Sequence, residues 1–153
     1  MNRPVGPPDA QSPAVGALGA LDAGELAADL VAVAVFVALG RASHHEGGVV
    51  LGFLGTLWPF AVGAVVGSGA TVLVARRGDR PLPASSLRAG GIVLAATVVV
   101  GMTLRRLCTD GGTPVSFLLV ATTFLAVLLL GRRLVAGWWA GRRAAPAAGS
   151  PAR

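Results

Sequence analysis

The sequence has no lysine and no tyrosine, a single cysteine, and only 7 acidic residues in a chain of 153. Charged residues make up 13% of it, against roughly 25% in an average soluble domain, so an ordinary water-exposed surface is excluded. One cysteine excludes an intramolecular disulfide and a cysteine-only metal site. Without tyrosine, and with phenylalanine confined to apolar runs, the chain lacks the stacking aromatics of a nucleic-acid-binding face, so we expect no nucleic-acid partner.

What the chain has in abundance is apolar sequence: 54% of residues are hydrophobic and the mean hydropathy is +0.71. Four stretches between charged residues, 26–40, 47–75, 89–104 and 111–131, are candidates for membrane crossing, with Asp29 inside the first. About 20 helical residues cross the ~30 Å hydrocarbon layer, and only hydrogen-bonded backbone is tolerated there. We therefore predict an all-α polytopic membrane protein whose domain, 22–137, contains four transmembrane helices at about 24–41, 48–70, 88–106 and 113–132.

The two ends of the chain differ from this domain in composition. Residues 1–21 are rich in Pro, Gly and Ala and lack the apolar core of a secretory signal, which predicts a disordered tail. Residues 138–153 are rich in Arg and Ala, and we predict an interfacial segment followed by a disordered tail. Trp138 and Trp139 lie between two arginine pairs, a pattern typical of an anchor on anionic lipid headgroups. The alternative is a docking site for a cytoplasmic partner.

The distribution of arginine predicts the orientation in the membrane. All 13 basic residues are arginines, and ten of them fall on the side that holds both termini and the loop between the second and third helices. The other three are Arg41, Arg105 and Arg106. Because positive loops stay in the cytoplasm, we expect a multi-pass protein of the cytoplasmic membrane with both termini inside.

The four helices form two hairpins that align with one another at an offset of 64 positions. The offset pairs Arg41 with Arg105 and the Gly47–Gly48 pair with Gly111–Gly112, and it also pairs Phe60 with Phe124. Parallel repeats of this kind occur in some transporters. A chain rich in Gly and Leu also produces such matches by chance, so duplication and coincidence both remain open.

Asp29 is the one acid that must lie at membrane depth, and it needs a partner if it is ionised. Arg132 or Arg133, near the cytoplasmic end of the fourth helix, lies at a similar depth, and we predict an intramembrane ion pair. An intramembrane ionisable residue is a functional candidate. A purely structural ion pair, or a charge placed at the start of a helix, accounts for Asp29 equally well.

A second polar group is expected at the opposite, extracytoplasmic face. Its side chains include the types that bind transition metals, but adjacent histidines and one cysteine lack the spacing of a metal motif, so we predict no metal and no cofactor. Two arginines could instead bind an anion or a lipid phosphate, while solvated turn charges are the favoured interpretation. The cluster consists of Arg41, His44, His45, Glu46, Arg105, Cys108 and Asp110.

The second helix has two features that concern packing. Trp58-Pro59-Phe60 lies near its middle, where Pro predicts a kink and the Trp58 indole is expected to face a neighbouring helix or a cavity. Gly63 and Gly67 have the spacing that lets helices approach closely. Packing is the favoured role, and a gating hinge is the alternative.

From Asp29 to Arg133 the chain resembles the small bacterial and archaeal membrane proteins of domain-of-unknown-function family 3054. It departs from that family at Ser68 and Arg132, where tryptophan is usual. The resemblance implies a four-helix membrane protein, often actinobacterial, and no established activity. The matching residues are Asp29, Gly40-Arg41 with Ser43-His44, Trp58-Pro59-Phe60, Gly63 and Gly67, Gly101-Met102 with Leu104-Arg105, Phe117 with Val120-Ala121, and Gly131 with Arg133.

No set of residues in the sequence defines a reaction. A nucleophile such as Ser43 or Cys108 would need a positioned base, and no spacing provides one. We therefore expect a protein that is not an enzyme and acts through helix contacts as a scaffold or accessory subunit, with the lipid bilayer and an unidentified membrane protein or further copies of itself as partners. The alternative is a homo-oligomeric conduit for a small solute or anion.

Overall fold

The computed structural model describes residues 13–42, 49–78, 82–108 and 115–144. These residues form four α-helices: α1 at Pro13–Ala42, α2 at Val49–Arg77, α3 at Leu87–Cys108 and α4 at Val115–Ala144. No strand occurs within these ranges. The predicted all-α fold with four helices is confirmed.

Each helix contains a segment long and apolar enough to cross a membrane: Ala23–Ala42, Val50–Arg77, Leu87–Cys108 and Val115–Arg143. The second and fourth segments continue past the ends expected at 70 and 132. At 1.5 Å per residue they are about 40 Å long, so their ends extend beyond a hydrocarbon layer of ~30 Å or the helices tilt within it. Four such helices indicate a multi-pass membrane protein.

Helix α1 begins and helix α4 ends outside the predicted transmembrane domain. The first residue of α1 is Pro13, inside the stretch expected to be a disordered tail, and α4 continues to Ala144, past the expected start of the C-terminal tail. Proline is well suited to the first turn of a helix because its missing N–H needs no partner there. The alanines and leucines that follow it favour helix. Residues 1–12 and 145–153 lie outside the described residues.

The four helices form a ring in which each contacts two neighbours: α1 with α2, α2 with α3, α3 with α4, and α4 with α1. The closest pair is α2 and α3. A Cβ atom built on Gly63 would lie 2.8 Å from the Cα atom of Thr97, and one on Gly67 would lie 2.7 Å from the Cα atom of Val93. These two glycines therefore let the backbones of α2 and α3 approach more closely than any side chain would allow.

The centre of the ring is filled by apolar side chains from all four helices. Val33 of α1, Phe60 of α2, Val93 of α3, and Leu125 and Leu129 of α4 are between 0% and 2% exposed. The rings of Phe36 and Phe60 pack edge to face with centroids 5.6 Å apart, which joins α1 to α2. The bundle interior between these residues is a packed core.

The outer faces of the helices are also apolar. One large side chain from each helix illustrates this: Val31 is 63% exposed, Leu51 is 83%, Val99 is 65% and Val127 is 66%. A water-soluble bundle directs its polar residues to such faces. Lipid, or another membrane helix, is the surrounding that this surface fits.

The offset of 64 positions pairs residues whose surroundings differ in part. Phe60 is fully buried, whereas its counterpart Phe124 is 48% exposed. The two arginines that it pairs behave more alike, since each reaches the next helix: Arg41 extends to Gly52 of α2, and Arg105 lies over the ring of Phe117 of α4. These surroundings do not decide between duplication and coincidence.

Candidate functional site

The end of the bundle where α1 and α3 begin and α2 and α4 end is called the termini end below. Asp29 lies inside the bundle, about level with the start of α3. Its position six residues after Ala23 places it about 9 Å along the axis from the start of the apolar segment. The residue is 1% exposed. A carboxylate buried to this extent requires charged or hydrogen-bonding partners.

Arg133 of α4 supplies the first partner. Its Nη1 and Nη2 atoms donate to the two carboxylate oxygens of Asp29, each at 2.8 Å. Arg133 is itself only 4% exposed, so this is a buried, two-pronged ion pair of the strong kind. Its remaining hydrogen bonds go to backbone carbonyls, from Nη1 to Leu129 at 2.9 Å and from Nε to Ala84 at 3.3 Å.

Arg132, the next residue along α4, supplies a second partner. Its Nε donates to Oδ1 of Asp29 at 3.0 Å, and its Nη2 donates to the same oxygen at 2.5 Å. The same side chain reaches Glu25, donating from Nη1 to Oε2 at 2.7 Å and from Nη2 to the backbone carbonyl at 3.2 Å. Glu25, Asp29, Arg132 and Arg133 form one unit, called the ion cluster below, whose two negative and two positive charges cancel.

The turn before α3 positions the carbonyl that Arg133 uses. Ser86 donates its backbone N–H to the carbonyl of Pro83 at 2.9 Å, which folds the segment over Ala84. The hydroxyl of Ser86 then accepts from the N–H of Ala89 at 3.2 Å, an N-cap that fixes the start of α3. This turn therefore ties α3 to the ion cluster.

Gly90 makes room for the Arg133 side chain. A Cβ atom on Gly90 would lie 2.8 Å from Cδ of Arg133 and 2.9 Å from Cδ2 of Leu130. The absence of a side chain at this point of α3 lets the guanidinium pass between α3 and α4 toward α1. Three helices and one turn thus converge on Asp29.

A partly enclosed cavity of about 310 Å³ lies next to the ion cluster. Three of the four cluster residues, Glu25, Asp29 and Arg133, contribute to its wall. The remaining lining comes from Ala23 and Leu26 of α1, the second half of α2, Ala84 and Val93. The cluster is therefore accessible from one side although its central ion pair is buried.

The end of α4 marks where the membrane interface is expected. Trp138 and Trp139 are 53% and 54% exposed, and the guanidinium of Arg142 lies 3.7 Å from the centre of the Trp138 ring. Exposed tryptophan beside arginine is typical of headgroup depth. Arg133 precedes Trp138 by five residues, so the ion cluster lies about 8 Å deeper along α4.

Five of the six threonine hydroxyls within the described helices donate to the backbone of their own helix. Thr56, Thr97 and Thr123 each donate to the carbonyl four residues earlier, at 2.7 to 3.0 Å. This arrangement satisfies the hydroxyl without a partner from another helix. The ion cluster is consequently the main polar feature at membrane depth within the described residues.

The polar group expected at the opposite end is described only in part. His44, His45, Glu46 and Asp110 lie outside the described residues. The other members are Arg41, which extends toward α2, Arg105, which lies over Phe117 of α4 at 4.9 Å, and Cys108, which is exposed. Within the described residues no three potential metal ligands come together.

Several positions differ from expectation. Asp29 contacts both candidate arginines, whereas either one was expected. Trp58 was expected to face a neighbouring helix or a cavity, yet it is 39% exposed, because Pro59 and Phe60 occupy the inward side of this turn of α2. The helix continues through Pro59. Gly63 and Gly67 lie where close packing was expected.

Glu25, the Ala84 carbonyl and Gly90 are parts of the site that sequence reasoning did not identify. For Glu25 a signal existed, since it precedes Asp29 by four residues and therefore shares its helix face. The roles of Ala84 and Gly90 depend on how α3 packs against α4. No local pattern in the sequence reports that packing.

Four helices, each long and apolar enough to cross a membrane, surround a packed core, and a buried ion cluster joins α1 to α4. This architecture indicates the class of multi-pass helical membrane proteins. Residues 26–136 match the family model described as "Protein of unknown function (DUF3054)". The chain belongs to this family, so the family predicted from the sequence is confirmed. No curated protein matches the chain, and no solved structure matches it.

Proposed function

We propose that this protein is a non-catalytic scaffold or accessory subunit of the cytoplasmic membrane that acts through contacts between its outer helix faces and other membrane proteins. The observation that supports this most is the division of its surfaces. The charges of the ion cluster neutralise one another inside the bundle, while large apolar side chains point outward from all four helices. The surface available for contact with other membrane proteins is therefore the apolar outer face of the helices.

The proposal includes an orientation, with both termini in the cytoplasm. Ten of the 13 arginines belong to the termini end or its flanking segments. The pairing of Arg142 with Trp138 supports an anchor at an interface rich in anionic headgroups. These features favour the cytoplasmic side by the positive-inside rule.

Site-specific photocrosslinking in the native membrane tests the scaffold role. A photoreactive residue is placed at one outward position on each helix, namely Val31, Leu51, Val99 or Val127, and at buried Leu125 as the control. A scaffold gives a discrete protein adduct of constant mass from one or two of the outward positions and none from the control. Adducts with lipid alone at all four outward positions would contradict the proposal.

A homo-oligomeric conduit for a small solute or anion is the second candidate. The cavity of about 310 Å³, with charged groups in its wall, favours it. Among the described residues the centre of the bundle is packed with apolar side chains and leaves no pathway, so a conduit would need several copies around an axis. Two arginines at the opposite end, Arg41 and Arg105, would then attract anions to the entrance.

Liposome flux separates the two candidates. The conduit would be supported if liposomes containing the purified protein conduct chloride and Arg41→Gln or Arg105→Gln abolishes that flux. It would also require an oligomeric mass in detergent. Flux equal to that of empty liposomes, with an adduct from the crosslinking experiment, supports the scaffold. The matched control is Arg76→Gln, which removes the same charge from an exposed position in the last turn of α2.

A further inference from the structure

The cavity beside the ion cluster lies in the gap between α1 and α2 at the termini end. Its floor is formed by Val93 of α3 and Arg133 of α4. On the α2 side, Val65, Ser68 and Gly69 contribute to the wall, followed by Val72. These positions recur every three or four residues, so they form one continuous face of the helix.

The wall of this cavity combines apolar surface with polar atoms that have unused hydrogen-bonding capacity. Oδ2 of Asp29 accepts one hydrogen bond, from Arg133. On Glu25, Oε2 accepts from Arg132, while within the described residues Oε1 accepts none. A carboxylate oxygen accommodates about two hydrogen bonds. Because Asp29 is 1% exposed and Glu25 is 24% exposed, the carboxylate acceptor that the cavity presents is Oε1 of Glu25.

The wall also contains donors, among them the hydroxyl of Ser68, for which the described residues provide no hydrogen-bond partner. Four of the five N–H groups of Arg133 are used, by Asp29, Leu129 and Ala84, which leaves one on Nη2. The hydroxyl of Thr71 donates to the carbonyl of Ser68 at 2.7 Å. An occupant that fits this wall brings several N–H donors and an apolar body.

We propose that the cavity binds the primary ammonium group of an amphiphile. The ammonium donates to Oε1 of Glu25, and the apolar part of the ligand packs against Leu26, Val65 and Val72. A primary ammonium provides three donors in a compact head. The volume of about 310 Å³ lies at the lower end of the range typical of small-molecule sites.

An ammonium of this kind can come from an aminophospholipid of the bilayer or from a free amine. Charge balance favours the lipid, because phosphatidylethanolamine is a neutral zwitterion and the ion cluster is also neutral. Phosphatidylcholine has the same net charge but no N–H donor, and it is therefore the informative comparison.

A variant that fills the cavity is available. Gly69 lines the cavity, and a Cβ atom built on it meets no atom within 4 Å, so Gly69→Leu adds a side chain at the cavity wall. Gly55 on the same helix is equally open and lies far from the cavity, which makes Gly55→Leu the matched control. Glu25→Gln removes the acceptor charge, and Asp110→Asn, in the segment joining α3 and α4, removes one acidic charge elsewhere in the chain.

The experiment measures lipid retention by native mass spectrometry of the full chain released from micelles. Phosphatidylethanolamine, phosphatidylcholine and phosphatidylglycerol with the same acyl chains are supplied in equal amounts, and octylamine binding is measured separately by calorimetry. We expect wild type and Gly55→Leu to retain phosphatidylethanolamine preferentially. Gly69→Leu should abolish this preference. Glu25→Gln should weaken it about tenfold, the value of one charge-assisted hydrogen bond, while Asp110→Asn leaves it unchanged.

Octylamine binding by the wild type that is lost in Gly69→Leu supports the ammonium site. If the wild type binds octylamine but shows no lipid preference, the ligand of the site is a free amine. Equal retention of phosphatidylethanolamine and phosphatidylcholine by the wild type, with no octylamine binding, would overturn the proposal. So would an unchanged preference in Gly69→Leu. Circular dichroism of each variant shows that the helices are intact when the ligand is lost.

Discussion

The ion cluster predicts a large difference between two substitutions that each remove one negative charge. Asp29→Asn keeps the size of the side chain but leaves Arg133, 4% exposed, with an uncompensated charge. Breaking a buried ion pair from one side costs about 3–5 kcal/mol. Glu25→Gln removes a side-chain charge that is paired with Arg132, and the two side chains are 24% and 22% exposed. Partly exposed ion pairs contribute about 0–1 kcal/mol to the free energy of unfolding.

A double variant separates the charge from the packing. Asp29→Leu combined with Arg133→Met removes both members of the buried pair and keeps apolar volume in the gap between α1 and α4. Replacing both partners of a buried pair is often close to neutral. We therefore expect the double variant to recover most of the stability lost in Asp29→Asn, while Arg132 keeps its contact with Glu25.

Reversible unfolding in mixed micelles of a mild detergent and dodecyl sulfate gives the free energy of unfolding for each variant. The expected order is wild type and Glu25→Gln close together, the double variant slightly lower, and Asp29→Asn lowest. A free energy for Asp29→Asn within about 1 kcal/mol of wild type, the range of an exposed pair, would refute the claim that this pair is buried and stabilising.

Three further outcomes follow from packing and orientation. Gly63→Ala should destabilise the bundle by about 1–3 kcal/mol in the same unfolding assay, because its Cβ would lie 2.8 Å from the α3 backbone. The control Gly55→Ala should be neutral or slightly stabilising. Equal effects of the two substitutions would contradict the close α2–α3 contact. Phe60→Ala should lower the free energy of unfolding by about 3–5 kcal/mol, and Phe124→Ala, at an exposed position, should lower it much less. Comparable losses of stability would contradict the burial of Phe60. The single cysteine, Cys108, is exposed at the end opposite the termini, so a membrane-impermeant maleimide should label it in intact cells; labelling only after permeabilisation would reverse the proposed orientation.

The number and type of helices could be predicted because they depend on composition. Long neutral stretches between arginines leave helix as the only backbone that hydrocarbon accepts. The partnership of Asp29 with the Arg132–Arg133 pair was accessible for the same reason, since both positions were constrained to one depth. The sequence left open which arginine is involved, and the structure shows that both are.

The remainder of the site depends on how the helices pack. Gly90 looks like any other glycine until α4 is placed beside α3 and the Arg133 side chain is seen to cross it. The cavity is equally invisible in the sequence, because it is the space between α1 and α2 beside Gly69. The helices continue past the apolar stretches of the sequence, because alanine, leucine and arginine favour helix outside those stretches as well.

Alkaline carbonate extraction of membranes that contain the full-length protein tests the central claim most directly. Four apolar helices, each long enough to cross the bilayer, predict that the chain stays in the membrane pellet at high pH and enters solution only with detergent. Recovery of the chain in the carbonate supernatant as a monodisperse species, without detergent, would contradict the membrane-spanning bundle and the proposals built on it.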